Sequence, residues 1–468
     1  MEGTAVILAA GKGTRMHSSR IKVLHDILGV PMVAWPIQIA QSVGLSPLLV
    51  VGHQETEVRE ALADKDIHFA RQPIPKGTGD AVRCALTELP ETGRMVVMAG
   101  DAPLFRRETL EKLMSAHGDS YVTVLTAVID EPGSYGRIIR DDACQPLRIT
   151  EAAEATPEEK EITEINTGVY VFDVAWLRSV LPDFQPHPPK NEIYLTDAVE
   201  LAAQLGKAQA VVLDDPREAD GVNDRWALAE ATRRLQMRVI QAHAMAGVTF
   251  EDPHSNTVEC FVSLDQDVTI ERGAILRGNT RVGANSRIGA YTVLCHTKVA
   301  NDVHIKPHTH SESAVIGTGS VVGPFARLRE GTQLDRQVKV GNFVETKKAH
   351  FHAGAKASHL SYIGDATIGE AANIGAGTIT CNYDGFSKFK TKVGAGAFIG
   401  SNTALVAPVD IGADSIVGAG SVISKKVPSG SIALTRSPQE TLEGGAIRFR
   451  EKRVRNQSSP SSDKGRST

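Results

Sequence analysis

The stretch Leu8-Ala-Ala-Gly-Lys-Gly-Thr-Arg-Met16 sets two glycines and two cations directly behind an apolar run. Glycines leave backbone N–H groups free to face a phosphate, and Lys12 and Arg15 supply countercharge. The spacing fits neither the dinucleotide fingerprint nor the P-loop. Standing alone, the loop could equally be a Gly-containing turn. A second candidate lies far downstream, in Ala357-Ser-His359-Leu-Ser-Tyr362. A neutral imidazole, with an ordinary pKa of about 6.5, suits the removal of a proton from an amine during acyl transfer. The chain has 15 histidines, so His359 is singled out by its company. Arg329 stands where comparable positions more often carry glycine, and Lys347 lies in an irregular stretch. His308, His310, His350 and His352 read as exposed turn residues rather than metal ligands. Cys381 reads as a small filler, because no electropositive partner marks it as a reactive thiolate.

Those residues need elements to hold them. In the first half, short apolar runs at Thr4–Ala9, Pro47–Val51, Ile67–Ala70, Arg94–Ala99, Val122–Ala127 and Gly168–Val171 alternate with helical patterns such as Met32–Ser42 and Thr78–Glu88. This alternation predicts a mostly parallel sheet covered on both faces. Ligands of such sheets bind at the carboxyl ends of the strands. Residues Asp224 to Gly247 read as one long helix, with Asn223 or Asp224 as its cap and Gly247 as its stop.

Beyond that helix the period changes. Aliphatic residues recur every sixth position at Ile270, Leu276, Val282, Ile288 and Leu294, then from Ile316 to Val340, then from Val393 to Ile423. A small residue often follows. Helices repeat at 3.6 residues and strands at 2, whereas a parallel β-helix gives one anchor per flat side. Two breaks in the period are informative. From Val340 to Ile363 the spacing is 23, one short of four hexads, and from Thr380 to Val393 it is 13, one more than two. His359 sits in the first break, and Cys381-Asn382-Tyr383-Asp-Gly-Phe-Ser-Lys388 in the second. Breaks in a solenoid usually map to loops on one face.

Composition narrows the classes. A net charge of -4 argues against nucleic acid as a partner. The basic, Ser-rich residues 441–468 are expected to be a disordered tail. Five scattered cysteines without CxxC spacing suit a reducing compartment. No run approaches the about 20 apolar residues of a membrane span, and the start of the chain lacks a signal-like pattern. The expectation is a cytoplasmic protein with no membrane partner.

The segment LAAGKGTRM, with Lys22 in IKVLH, resembles the signature of the sugar-nucleotide pyrophosphorylases. Further matches follow in order: Gln72 with Gly77-Thr78, Ala99-Gly100-Asp101, Tyr135-Gly136-Arg137, Glu151, Glu164-Ile-Asn166-Thr-Gly168 and Gly221-Val-Asn223. With the hexads included, the chain to about Arg436 resembles the bacterial bifunctional N-acetylglucosamine-1-phosphate uridyltransferase / glucosamine-1-phosphate N-acetyltransferases. The resemblance implies an α/β Rossmann-like nucleotidyltransferase domain (1–223), a linker helix (224–247) and a left-handed parallel β-helix (248–440).

It also implies roles. Asp101 and Asn223 would hold Mg²⁺, and Arg15 and Lys22 would hold the phosphates of UTP. Leu8, Ala9, Ala10, Gly11, Gln72, Gly77 and Thr78 would contact the uracil and ribose side, beside Ala99 and Gly100. Gly136, Glu151 and Asn166 would read the amino sugar of N-acetylglucosamine 1-phosphate. In the second half His359 would be the base. Arg329, Lys347, Tyr362, Asn373 and Lys388 would hold glucosamine 1-phosphate, and Ala376, Asn382, Tyr383, Ser401, Ala419 and Arg436 would line an acetyl-CoA groove. β-Helices of this family assemble as homotrimers. Two departures stand out: Ile21 replaces the family's usual proline before the lysine, and serines flank His359 where glycine and threonine are usual.

Two other readings compete. A pyrophosphorylase with a merely structural or regulatory β-helix predicts ordinary hexads where His359, Arg329 and Lys388 stand, and the sequence shows the opposite. A non-catalytic scaffold predicts missing site residues, and no expected charged or polar one is missing.

Overall fold

The computed structural model describes residues 3–11, 13–188 and 191–458; Lys12 and the last ten residues of the tail lie outside them. Two compact units are present, Met1–Ala284 with Val293–His296, and Asn285–Thr292 with Thr297–Thr468.

In the first unit a twisted sheet runs in the order Ala208–Val212, Val122–Val128, Glu164–Asp173, Arg94–Ala99, Thr4–Leu8, Ser46–Val51, His68–Arg71. All pairs are parallel except those of Glu164–Asp173, which runs against both neighbours. The apolar run around Gly168 is therefore a strand, but reversed in direction. A hairpin of Arg137–Arg140 and Pro146–Thr150 joins its start. Alternate strand residues feed two cores. Ala5, Ile7, Val96 and Met98 pack beneath the helices Ala34–Ser42 and Arg107–Ala116. Val6, Val50, Met95 and Val97 pack beneath Thr78–Leu86 and Asp197–Gln204. Burial on both faces explains the nearly unbroken apolar runs.

The long helix spans Arg225–Met245, capped by Asp224, whose carboxylate accepts from Ala227 N at 2.8 Å. Because Asp224 does the capping, Asn223 keeps its side chain for other use. Leu235 is buried and Leu228 and Val239 pack against Ile27, Leu28, Met32, Leu104 and Val222. The helix stops at Gly247, whose φ of 102° suits glycine.

The second unit is a left-handed parallel β-helix of short strands stacked in three sheets. Anchors stack in register, as Val322 on Val340, Leu328 on Thr346 and Leu334 on Phe351. The first break is now explained: one side between Thr346 and Phe351 is five residues long, so the anchors are Thr346, Phe351, Ala357 and Ile363, all fully buried. The large Phe351 fills the layer between a threonine and an alanine. At the second break residues 382–390 leave the coil as a loop closed by a Tyr383–Lys388 bridge and two bonds to Asp384. The chain then re-enters at Thr391–Val393, stacked on Ala366–Ile368.

The tail departs from expectation. Gly445–Ser458 is helical, with Ile447, Phe449 and Val454 exposed. Its Arg, Lys, Glu and Gln are good helix formers despite the lack of an apolar stripe. Among the described residues no helix is long and apolar enough to cross a membrane, and all five cysteines are free.

Candidate functional sites

At the carboxyl ends of the central strands lies an open cleft of 440 Å³. Leu8, Ala10, Gly11, Gln72, Gly77, Thr78, Ala99, Asp101 and Glu151 line it, as expected from the sequence. Pro75, Glu192 and Tyr194 also line it and were not anticipated; they carry no motif and arrive from the loops before Thr78 and Asp197. Strand ends fix the rim: Ala9 N donates to Val50 O at 2.9 Å, Gly100 N to Leu8 O at 2.9 Å and Gln72 N to Val51 O at 2.8 Å. The Gln72 amide donates to Gly77 O and Asp80 Oδ2. Gly77 has φ 99°, and a Cβ there would meet Ile193 O, so glycine is required.

On one side of the cleft stand the sugar candidates. Asn166 N donates to Gly136 O, and the Asn166 amide is fixed by Gly168 N at 3.0 Å and the Tyr170 hydroxyl at 2.6 Å. Burial pushes the Glu151 carboxyl above its ordinary value, against the hydrogen bond it accepts from Thr196. Burial likewise raises the Tyr170 hydroxyl.

On the other side four polar groups converge. Lys22 Nζ forms an ion pair with Asp101 Oδ2 and lies 3.5 Å from Asn223 Oδ1, which also accepts from Arg15 Nη2 at 2.9 Å. The bond from Val222 N to Asp101 O, 2.9 Å, ties the two acceptor segments together. Gly13, at φ 61°, leaves room for the Lys22 stem, which a Cβ would strike. Ile21, in place of proline, is buried and leaves Lys22 facing the cleft wall. An apolar cavity of 290 Å³ opens at the opposite strand ends, and its one cation, Arg94, is engaged with Gly118 O. It offers no second phosphate-binding site.

In the β-helix the expected groups fall on two sheets and the corner between them. Arg329, Lys347 and Tyr362 belong to successive coils of one sheet; Arg329 pairs with Glu345 at 2.9 Å and Lys347 with Glu330 at 3.5 Å. Asn373 lies on the adjacent sheet, beside Lys356 and Phe398. Lys388 is on the protruding loop, where the Tyr383 hydroxyl donates to Gly385 O. The Asn382 amide donates to Asp365 Oδ2.

Along the corner, coil-to-coil bonds form a ladder. Leu360 N donates to Asn342 O, Gly377 N to Leu360 O, Asn402 N to Ala376 O, Gly420 N to Ser401 O, and Arg436 Nη1 to Ala419 O. His359, Ala376, Ser401, Ala419 and Arg436 thus follow one edge of the prism, rising about 4.8 Å per coil. His359 Nδ1 is 2.7 Å from Asn342 Oδ1 on the coil before it. Sequence reasoning missed Asn342, since only the shortened coil brings residue 342 beneath 359. Gly341 beside it has no room for a Cβ against Ser358 O.

Of the four histidines set aside as turn residues, His308 has a turn conformation (φ 59°) and stacks between Tyr291 and Phe325. His310 instead opens the strand His310–Glu312, and His350 opens His350–Phe351. His350 and His352 both turn toward Asp335.

A cleft at the strand ends of an α/β sheet, with two cations and two oxygen donors gathered at its edge, followed by a hexapeptide β-helix, defines a two-part transferase. The MobA-like NTP transferase domain matches residues 5–168, and the bacterial transferase hexapeptide (six repeats) matches 390–425. The bifunctional protein GlmU of Trichlorobacter lovleyi is 43% identical over 96% of this chain and 98% of its own length. The GlmU proteins of Sorangium cellulosum (43%, 96% of each chain) and Chromobacterium violaceum (43%, 94% of this chain and 97% of that one) are similarly close. The chain belongs to the GlmU family of bifunctional proteins. It is an enzyme of UDP-N-acetylglucosamine synthesis, combining acetyl transfer to glucosamine 1-phosphate with uridylyl transfer to N-acetylglucosamine 1-phosphate.

Proposed function

We propose that the two reactions are carried out by the residues gathered above, with 1–223 as the uridyltransferase, 224–247 as linker and 248–440 as the acetyltransferase. The observation that carries the uridyltransferase reading is the position of Lys22 between Asp101 Oδ2 and Asn223 Oδ1. Two oxygen ligands already face one cationic nitrogen, so the donor set fits a hard divalent ion such as Mg²⁺. The phosphates of UTP would give Lys22 and Arg15 new partners, and Asp101 and Asn223 would then hold the metal. A bound Mg²⁺ would neutralise charge developing on the phosphates. The chain's own part is positioning: Lys22 and Arg15 orient the α-phosphate for in-line attack by the sugar phosphate. Leu8 to Gly11, Gln72, Gly77, Thr78, Ala99 and Gly100 frame the nucleoside, and Gly136, Glu151 and Asn166 the sugar.

In the β-helix, Asn342 Oδ1 accepts from His359 Nδ1, so the proton resides there and Nε2 presents its lone pair. Nε2 takes the proton of the glucosamine nitrogen as that nitrogen attacks the acetyl carbonyl, and hands it to the sulfur as the C–S bond breaks, so that the coenzyme leaves as its thiol. Arg329 and Lys347 exchange their carboxylate partners for the sugar phosphate, with Tyr362, Asn373 and Lys388 around the ring. Acetyl-CoA lies along the corner from His359 past Ala376, Ser401 and Ala419 to Arg436, beside Asn382 and Tyr383. The split of these groups over two sheets supports a homotrimer, in which a neighbouring subunit closes the site. The free cysteines support a cytoplasmic location.

The test separates the halves. Asp101→Ala should abolish pyrophosphate release from UTP and leave acetyl transfer within about twofold of wild type. Loss of both activities in a folded variant would contradict independent sites.

A further inference from the structure

On the third sheet of the β-helix, away from the groups assigned above, Leu334 and Phe351 stack inward as anchors of successive coils. The residues beside them therefore face out. His350 and His352 flank the inward-facing Phe351, His350 in the strand and His352 just past its end, and Asp335 faces both from the coil before. Asp335 Oδ1 is 2.9 Å from His350 Nε2, and its Oδ2 is 3.1 Å from His352 Nδ1. The facing atoms all lie within 4.8 Å of one another, and among the described residues no other three His, Cys, Asp or Glu side chains converge so closely.

We propose that Asp335, His350 and His352 form a binding site for a divalent cation of the zinc class, which clamps two successive coils of the β-helix. Two imidazoles and one carboxylate are a zinc-type donor set, whereas Mg²⁺ and Ca²⁺ take oxygen. Tetrahedral zinc with bonds of about 2.0–2.1 Å holds its ligands about 3.3 Å apart, so atoms that lie within 4.8 Å of one another must close by at most about 1.5 Å. All three side chains are about 40% exposed, so an ion can enter and water can take the fourth position. Binding displaces whatever protons the two facing ring nitrogens carry, and these go to solvent. The clamp lies on the side of the coil that follows the one carrying Arg329 and Lys347, the latter being the last residue of the strand Glu345–Lys347.

The experiment uses the full chain, stripped with a chelator and held in excess Mg²⁺ so that the oxygen-ligand site is filled. Zn²⁺ is titrated against a chromophoric chelator. One equivalent should bind to wild type, and Asp335→Asn, His350→Gln and His352→Gln should each weaken it at least about tenfold. Co²⁺ should give the visible band of four-coordinate cobalt in wild type only. Circular dichroism of the metal-free variants confirms folding, and the exposure of all three positions makes them tolerant. Zn²⁺ binding unchanged across the folded variants, or no uptake by wild type in the micromolar range, would overturn the proposal.

Discussion

Asn342 Oδ1 and His359 Nδ1 are 2.7 Å apart because the coil between them has lost one residue. In an 18-residue coil, position 342 would stack beneath 360. The five-residue side between Thr346 and Phe351 shifts the register and places an amide acceptor beneath the imidazole. An irregularity in the repeat thus gives the His359 ring a partner at Nδ1.

Removing that acceptor should lower kcat for acetyl transfer without loosening substrate. Asn342→Ala is expected to cut kcat by about 10–100-fold, with KM for glucosamine 1-phosphate little changed. Asn342→Asp should restore part of the rate and move the acid limb of the pH profile upward, since a carboxylate favours imidazolium. Steady-state rates between pH 5 and 9 check both. A merely structural Asn342 would leave the acid limb in place.

Lys22 should matter to one activity alone. Lys22→Gln shortens the side chain by one atom and removes its charge, and should slow pyrophosphate release by at least about 10²-fold. Acetyl transfer should be unaffected. Pyrophosphate and free-thiol assays on the same preparation distinguish the two.

His117 gives the first unit a pH dependence. It is buried, with Nδ1 2.9 Å from Thr123 Oγ1, and burial, aided by the charge of Arg94, lowers its pKa to about 4. The unfolded chain therefore binds a proton between pH 6.5 and about 4 that the folded chain refuses. Stability from this group is complete above pH 6.5 and falls as pH drops through that window. Replacing the ring with His117→Phe should flatten this part of the acid-side slope of the melting midpoint. An unchanged slope in a folded variant would contradict it.

How much of this was legible in sequence follows from what each residue does. All sixteen hexad anchors read from the spacing are buried, because a solenoid repeats one packing demand at a fixed interval. The nucleotide cleft was legible too, since a phosphate-binding rim needs glycines and cations at the ends of strands. What stayed hidden depends on register or on distant segments. The second half of the reversed strand, Val169–Phe172, is as buried as the strands beside it, so burial pattern does not reveal its direction. Glu192 and Tyr194 reach the cleft from a loop without a motif. Asn342 and Asp335 gain their partners only across coils whose length departs from eighteen. The tail helix has exposed apolar residues and no stripe, so periodicity could not mark it.

The most direct measurement is free-thiol release from acetyl-CoA and glucosamine 1-phosphate by wild type and His359→Ala across pH. With His359 as the base, the variant should lose about 10²–10⁴-fold in kcat and also lose the acid limb that wild type shows. Near-wild-type release by a folded variant, or an acid limb that survives the substitution, would contradict it.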